Sequence, residues 1–175
     1  MPTPAVDEKE VLFRQVKPGG DPIFFDPDRK PAVHRAVFLP SNDDPDGLSI
    51  IRSKFRSRVW SAFRPEKPGV RFRLACLRIP DLLQVADDCG IQQLNYQSTP
   101  DVLDKRHGEP WAHSVIAEIN RKDYNSDQDA KRRIKEWALR LADNLANHDI
   151  IGPFDEPRDC DQYRPNVGYG CLKST

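Results

Sequence analysis

The sequence predicts an α+β fold: a single domain with a mixed or mostly antiparallel sheet, one long packed helix and one short helix. Three observations lead there. Residues 70–79 (V-R-F-R-L-A-C-L-R-I) alternate apolar and charged side chains in their first half. Their second half is nearly all apolar, as in a central strand covered on both faces. From Asp127 to about Asn147, Ala130, Ile134, Trp137, Ala138, Leu141 and Leu145 recur at three- and four-residue spacing, which lays them on one helical face. Finally, sixteen prolines in 175 residues exceed the usual share of about 5% and imply short elements joined by loops. A chain of this length buries roughly 70% of its unfolded surface and needs no metal or disulfide to fold.

The elements follow in order. Residues 1–10 are expected to be flexible. Val11 to Val16 (V-L-F-R-Q-V) reads as a first strand, stopped by Lys17-Pro18-Gly19-Gly20. Residues 21–33 form a Pro- and Asp-rich loop that pins Phe24 and Phe25. His34 to Leu39 is expected to be a second strand, ended by Pro40. The turn at 41–47 has Asp and Asn to bond their own backbone and Gly47 to supply positive φ. Leu48 to Ile51 is a short strand, and Arg52 to Val59 a short helix or exposed loop. After the 70–79 strand, Pro80-Asp81 opens the short helix and Cys89-Gly90 closes it. Residues 91–97 are weakly strand-like, and 98–110 form a polar loop. Residues 112–119 read as a strand. The domain is expected to span 11–152, with 153–175 an irregular tail.

The N-terminus lacks the apolar stretch of a secretory signal, and no apolar run approaches the ~20 residues of a membrane span. Cys76, Cys89, Cys160 and Cys171 form no dense framework. They read as reduced thiols of a cytoplasmic protein, with a Cys160–Cys171 bridge as the alternative.

Charge is the strongest functional signal. The net charge is zero, yet residues 52–78 hold nine Lys/Arg and one acid. Phe55, Trp60, Phe63 and Phe72 interleave with the bases. Arg52, Lys54, Arg56, Arg58, Trp60, Arg64, Arg71 and Arg73 are the candidate partner- or anion-binding residues. Aromatic–Arg surfaces suit protein interfaces and nucleic acid alike. A pI near 6.9 is low for a nucleic-acid-binding domain. An acidic protein surface is therefore the favoured partner. Pairing of the bases with the chain's own acids, such as Asp43, Asp44 and Asp46, is the plainer explanation of the same stretch.

No phosphate loop, G-x-G-x-x-G, C-x-x-C, H-E-x-x-H or G-x-S-x-G is present, so no cofactor or metal is expected. The weak catalytic candidates are Arg14, Ser49, His113 and Glu118. His113 and Glu118, five residues apart on an expected strand, fall on opposite faces. Arg14 sits in an apolar strand and needs a partner or an exposed face. The order Arg14, Ser49, Glu118 matches that of ADP-ribosyltransferases, which is a fold-level analogy.

Three fragments carry a family resemblance: residues 12–18 (L-x-R-Q-V-x-P), residues 48–52 (L-S-I-I-R) and residues 110–116 (P-W-A-H-S-V-I). Together they resemble a group of small bacterial proteins that has no assigned activity. The resemblance spans about residues 11–147, and Lys17 stands where that group usually has histidine. It implies a compact bacterial domain and supplies no catalytic residues. The leading expectation is a non-enzymatic interaction module that binds an acidic protein surface, or nucleic acid, through the basic–aromatic stretch. A small enzyme, ADP-ribosyltransferase-like, is the alternative.

Overall fold

Six strands form one antiparallel sheet in a computed structural model that describes residues 5–16, 33–42, 45–55, 72–98, 113–145, 149–154, 163–166 and 170–173. The strands are β1 (Val11–Val16), β2 (Leu48–Arg52), β3 (Phe72–Arg78), β4 (Tyr96–Ser98), β5 (His113–Ile116) and β6 (Ile150–Phe154), in the order β4-β5-β2-β1-β3-β6. A separate hairpin joins β7 (Tyr163–Asn166) and β8 (Gly170–Lys173), and β8 lies against β3. Three α-helices complete the fold: α1 (Ile79–Asp88), α2 (Arg121–Ser126) and α3 (Gln128–Asn144). The α+β expectation therefore holds. No helix among the described residues is long and apolar enough to cross a membrane.

Each sheet face has a distinct set of side chains. Leu12, Val16, Leu48, Ile50, Ala75, Leu77 and Ile116 join one apolar cluster with Leu82 and Val85 of α1 and with Ile134, Trp137, Ala138 and Leu141 of α3. Alternation sends Val11, Phe13, Leu74 and Cys76 to the opposite face. There each is only 1% exposed. β1 and β3 are thus covered on both sides, as the apolar second half of residues 70–79 suggested.

Local signals explain most boundaries. Asp127 caps α3 by accepting from Asp129 N (2.8 Å) and Ala130 N (3.1 Å). Pro80 sits in the first turn of α1. Gly90, at φ +73°, ends that helix, with Ile91 N donating to Ala86 O at 2.8 Å. Gly47, at φ +149°, is required where β2 meets β5. A Cβ there would lie 2.6 Å from the Ile116 carbonyl oxygen.

Three expectations are corrected, and one helix is added that the sequence did not suggest. His34 to Leu39 is no strand. Residues Arg35–Phe38 form a 3-10 helix, and His34 Nδ1 accepts from Ala36 N at 3.2 Å. Both edges of β1 are already paired with β2 and β3. The segment instead sends Phe38 into the core, edge-on to Trp137 at 6.5 Å. The strand at 112–119 ends early, at Ile116, where Ile119 N donates back to Ile116 O at 3.1 Å and closes a turn. Residues 121–126, with no apolar periodicity, form α2 because Asn120 accepts from Asp123 N at 2.7 Å. The tail is not wholly irregular, since β6 runs to Phe154 and β7 pairs with β8.

Candidate functional site

Two neighbouring strands bring Ser49 and His113 together. Ser49 stands opposite Val115, and His113 opposite Ile51. The two side chains are therefore diagonal neighbours on the face away from the helices. Ser49 Oγ lies 2.6 Å from His113 Nε2, a hydrogen-bonded pair in which the imidazole tautomer sets the donor. Both residues are half-buried. Their flanking residues Leu48, Ile50, Ser114 and Val115 are buried, which fixes both strands in register.

Arg14 reaches the same point from the other side of the sheet. Its residue partner on β3 is Ala75, a core residue on the helix side. The paired register of β1 and β2 covers Leu12 with Arg52 and Phe13 with Ile51. Just beyond it, Arg14 Nη1 donates to the Ser49 carbonyl oxygen at 2.8 Å, and its Nε donates to Val37 O at 3.1 Å. The guanidinium satisfies a β2 carbonyl beyond the paired register and holds Ser49's backbone in place. It answers the question the sequence posed about a charge in an apolar strand.

Glu118 is placed elsewhere. It lies in the turn after β5, where its carboxylate accepts from Asn95 N at 2.8 Å and from Asn95 Nδ2. It also lines an open cleft of about 400 Å3 with Gln92, Gln93, Asp123 and Arg133. Arg14, Ser49 and Glu118 thus do not face one cleft among the described residues, and the ADP-ribosyltransferase analogy loses its geometric basis. Ser49 and His113 remain.

The basic stretch divides in the structure. Arg52 is fully buried. Its Nε donates to Glu10 Oε1 at 3.0 Å, and its Nη2 donates to Glu10 Oε2 and Ala5 O, each at 2.9 Å. The expectation that Arg52 faces a partner is corrected: the side chain is an internal tie between the N-terminus and β2. Arg73 is half-buried opposite Val16, and burial lowers its pKa from the ordinary arginine value. Arg78 Nε donates to Asp81 Oδ2 at 2.6 Å and closes the start of α1. Lys54 is exposed. Arg56, Arg58, Trp60, Arg64 and Arg71 lie outside the described residues.

Cysteine chemistry also departs from expectation. Cys89 is free, and burial raises its thiol pKa. Cys76, however, is disulfide-bonded. The premise of four reduced thiols fails there. Sequence reasoning missed Cys76 because it sits among apolar residues of a central strand, where a free cysteine packs equally well. Among the described residues, no group of three or more His, Cys, Asp or Glu gathers to hold a metal ion. No family model matches the chain, and no curated protein or solved structure matches it.

Proposed function

We propose that the chain is a small enzyme that cleaves an ester-type substrate through Ser49, with His113 as general base. The 2.6 Å contact between Ser49 Oγ and His113 Nε2 carries this reading, because a hydroxyl nucleophile needs a base within hydrogen-bond reach. The three fragments that carry the family resemblance supply Arg14, Ser49 and His113, one residue each.

In the proposed reaction His113 Nε2 takes the Ser49 proton as Oγ attacks the substrate carbonyl. The imidazolium then gives that proton to the departing alkoxide, leaving an acyl-serine. Water, deprotonated by the same nitrogen, hydrolyses the acyl group and restores Ser49. Arg14 is a positioning residue, acting through the Ser49 carbonyl.

A fluorophosphonate probe tests the assignment. It should label Ser49 in the parent protein, lose all labelling in Ser49→Ala, and react roughly 10²–10⁴-fold more slowly with His113→Asn. Absence of Ser49 labelling in the folded parent protein would refute the nucleophile.

A second reading, the non-enzymatic interaction module, is supported by the nine bases and one acid of residues 52–78 and by the exposure of Lys54. Its favoured partner is an acidic protein surface. Nucleic acid would show as binding that weakens steeply with salt. The pair Arg56→Glu and Arg58→Glu should release the partner, and retention of every partner would remove this reading.

A further inference from the structure

The cleft of about 400 Å3 that Glu118 lines has the size of a small-molecule site. Its apolar floor is Ile91, Ala130 and Ile134, of which Ile91 and Ile134 belong to the helix-side cluster. Its charged walls are Glu118, Asp123 and Arg133. Both carboxylates are held in place. Glu118 accepts from Asn95, and Asp123 Oδ2 accepts from Asn120 Nδ2 at 2.8 Å. Each keeps lone pairs for a further donor. Arg133 is half-buried. Its stem passes Gly90, where an added Cβ would lie 3.9 Å from Arg133 Cδ. Among the described residues it makes no hydrogen bond and no ion pair. Elsewhere on α3, Arg132 pairs with Asp129 and Arg140 with Glu136. The Asp127 carboxyl feels the Arg133 charge, but the hydrogen bonds it accepts come from backbone N–H groups.

We propose that this cleft binds a small zwitterion, an α-amino acid with an aliphatic side chain. The planar guanidinium offers paired N–H donors that match a carboxylate. The ligand's ammonium takes the remaining lone pairs of Glu118 and Asp123, and its side chain covers Ile91 and Ile134. A phosphate dianion would meet two carboxylates and a single base, and like charges repel. A purely cationic ligand would leave Arg133 without a carboxylate. The proposal does not depend on Ser49 chemistry.

NMR titration of the full chain tests the site, with L-leucine, leucinamide, N-acetylleucine, glycine and inorganic phosphate as separate probes. Leucine should shift the amides of Gly90, Ile91 and Ala130 with a Kd of about 1 mM or tighter. Leucinamide lacks the carboxylate and N-acetylleucine the ammonium, so each should bind roughly tenfold more weakly. Glycine, without an aliphatic side chain, should weaken by about tenfold as well. Arg133→Gln should abolish the preference for leucine over leucinamide while its circular dichroism matches the parent's. Glu118→Gln keeps an acceptor for Asn95 and should abolish the preference for leucine over N-acetylleucine. Three results overturn the proposal: no saturable shifts with leucine, phosphate binding as tight as leucine binding, or leucine shifts centred on Ser49 and His113. A preference for leucine over leucinamide that survives in folded Arg133→Gln overturns the role of Arg133.

Discussion

On the helix side of the sheet, Leu12, Val16, Leu48, Ile50, Ala75 and Leu77 pack on α1 and α3 in one apolar cluster. Two polar side chains admitted there, Arg14 and Arg52, donate to backbone carbonyls or to Glu10. On the other side, the same strands present Phe13 and Leu74 together with a hydroxyl, an imidazole and a bonded sulfur. Both faces are buried or half-buried, so burial alone does not separate them. The kind of partner does. Arg14 and Arg52 are tied into the backbone or into a fixed ion pair, whereas Ser49 and His113 hold each other through groups able to exchange a proton. One face specifies the fold, and the other carries the pair proposed to be reactive.

Mutations at these positions break or sharpen that contrast. The largest expected effect is on the helix side. Glu10→Ala leaves the Arg52 charge buried without its carboxylate and should cost ~3–5 kcal/mol in urea denaturation. The double variant Glu10→Leu with Arg52→Met should recover most of that loss. A double variant as unstable as the single one would mean that the packing around Arg52, not its charge, holds β2.

Gly47→Ala comes next, because its Cβ would press on the Ile116 carbonyl at a backbone angle that suits glycine. A loss of about 1–3 kcal/mol is expected, with weakened fluorophosphonate labelling as β2 and β5 shift. Unchanged stability would mean that the turn relaxes without cost.

Ser49→Ala and His113→Asn should each move stability by less than ~1 kcal/mol, although they remove the proposed reactivity. A drop of several kcal/mol in either variant would make the pair a structural bond like those on the helix side.

The smallest effect is expected at Asp127, far from both faces of this contrast. Two backbone N–H groups hold its carboxyl below the ordinary aspartate pKa. The folded state therefore gains from its ionised form above the unfolded pKa and loses that gain as pH falls through the folded value. Asp127→Asn keeps a capping oxygen without the charge. Its melting temperature should trail the parent by a few degrees at neutral pH and converge with it in acid. A gap that persists unchanged into acid would assign the effect to cap geometry instead.

Much of the scaffold was legible because it rests on local signals. The apolar spacing of Ile134, Trp137 and Leu141 marked α3, and Pro80 and Gly90 bounded α1. Gly47's positive φ followed from its turn. His34–Leu39 misled because its composition is strand-like, and only the pairing of β1 on both sides excludes it from the sheet. Arg14, Ser49 and His113 were identifiable as unusual residues, but their relation was not. The diagonal placement of Ser49 and His113 depends on the β2–β5 register, which joins positions far apart in the chain. Arg52 shows the same limit: a count of charges could not reveal that one of the nine bases is enclosed by Glu10 and Ala5 O.

The place of β1 in the sheet bears on how the chain acquires its shape. β1 precedes the other strands of the sheet in the chain, yet it is flanked by β2 and β3, and β5 and β6 are added by pairings as distant as Ser49 with Val115 and Leu74 with Ile151. Such non-local closure is slow. The nascent N-terminal half must wait with an unfinished sheet until its last partners are made. That interval is when the apolar strand V-L-F-R-Q-V is most open to pairing with another copy of itself.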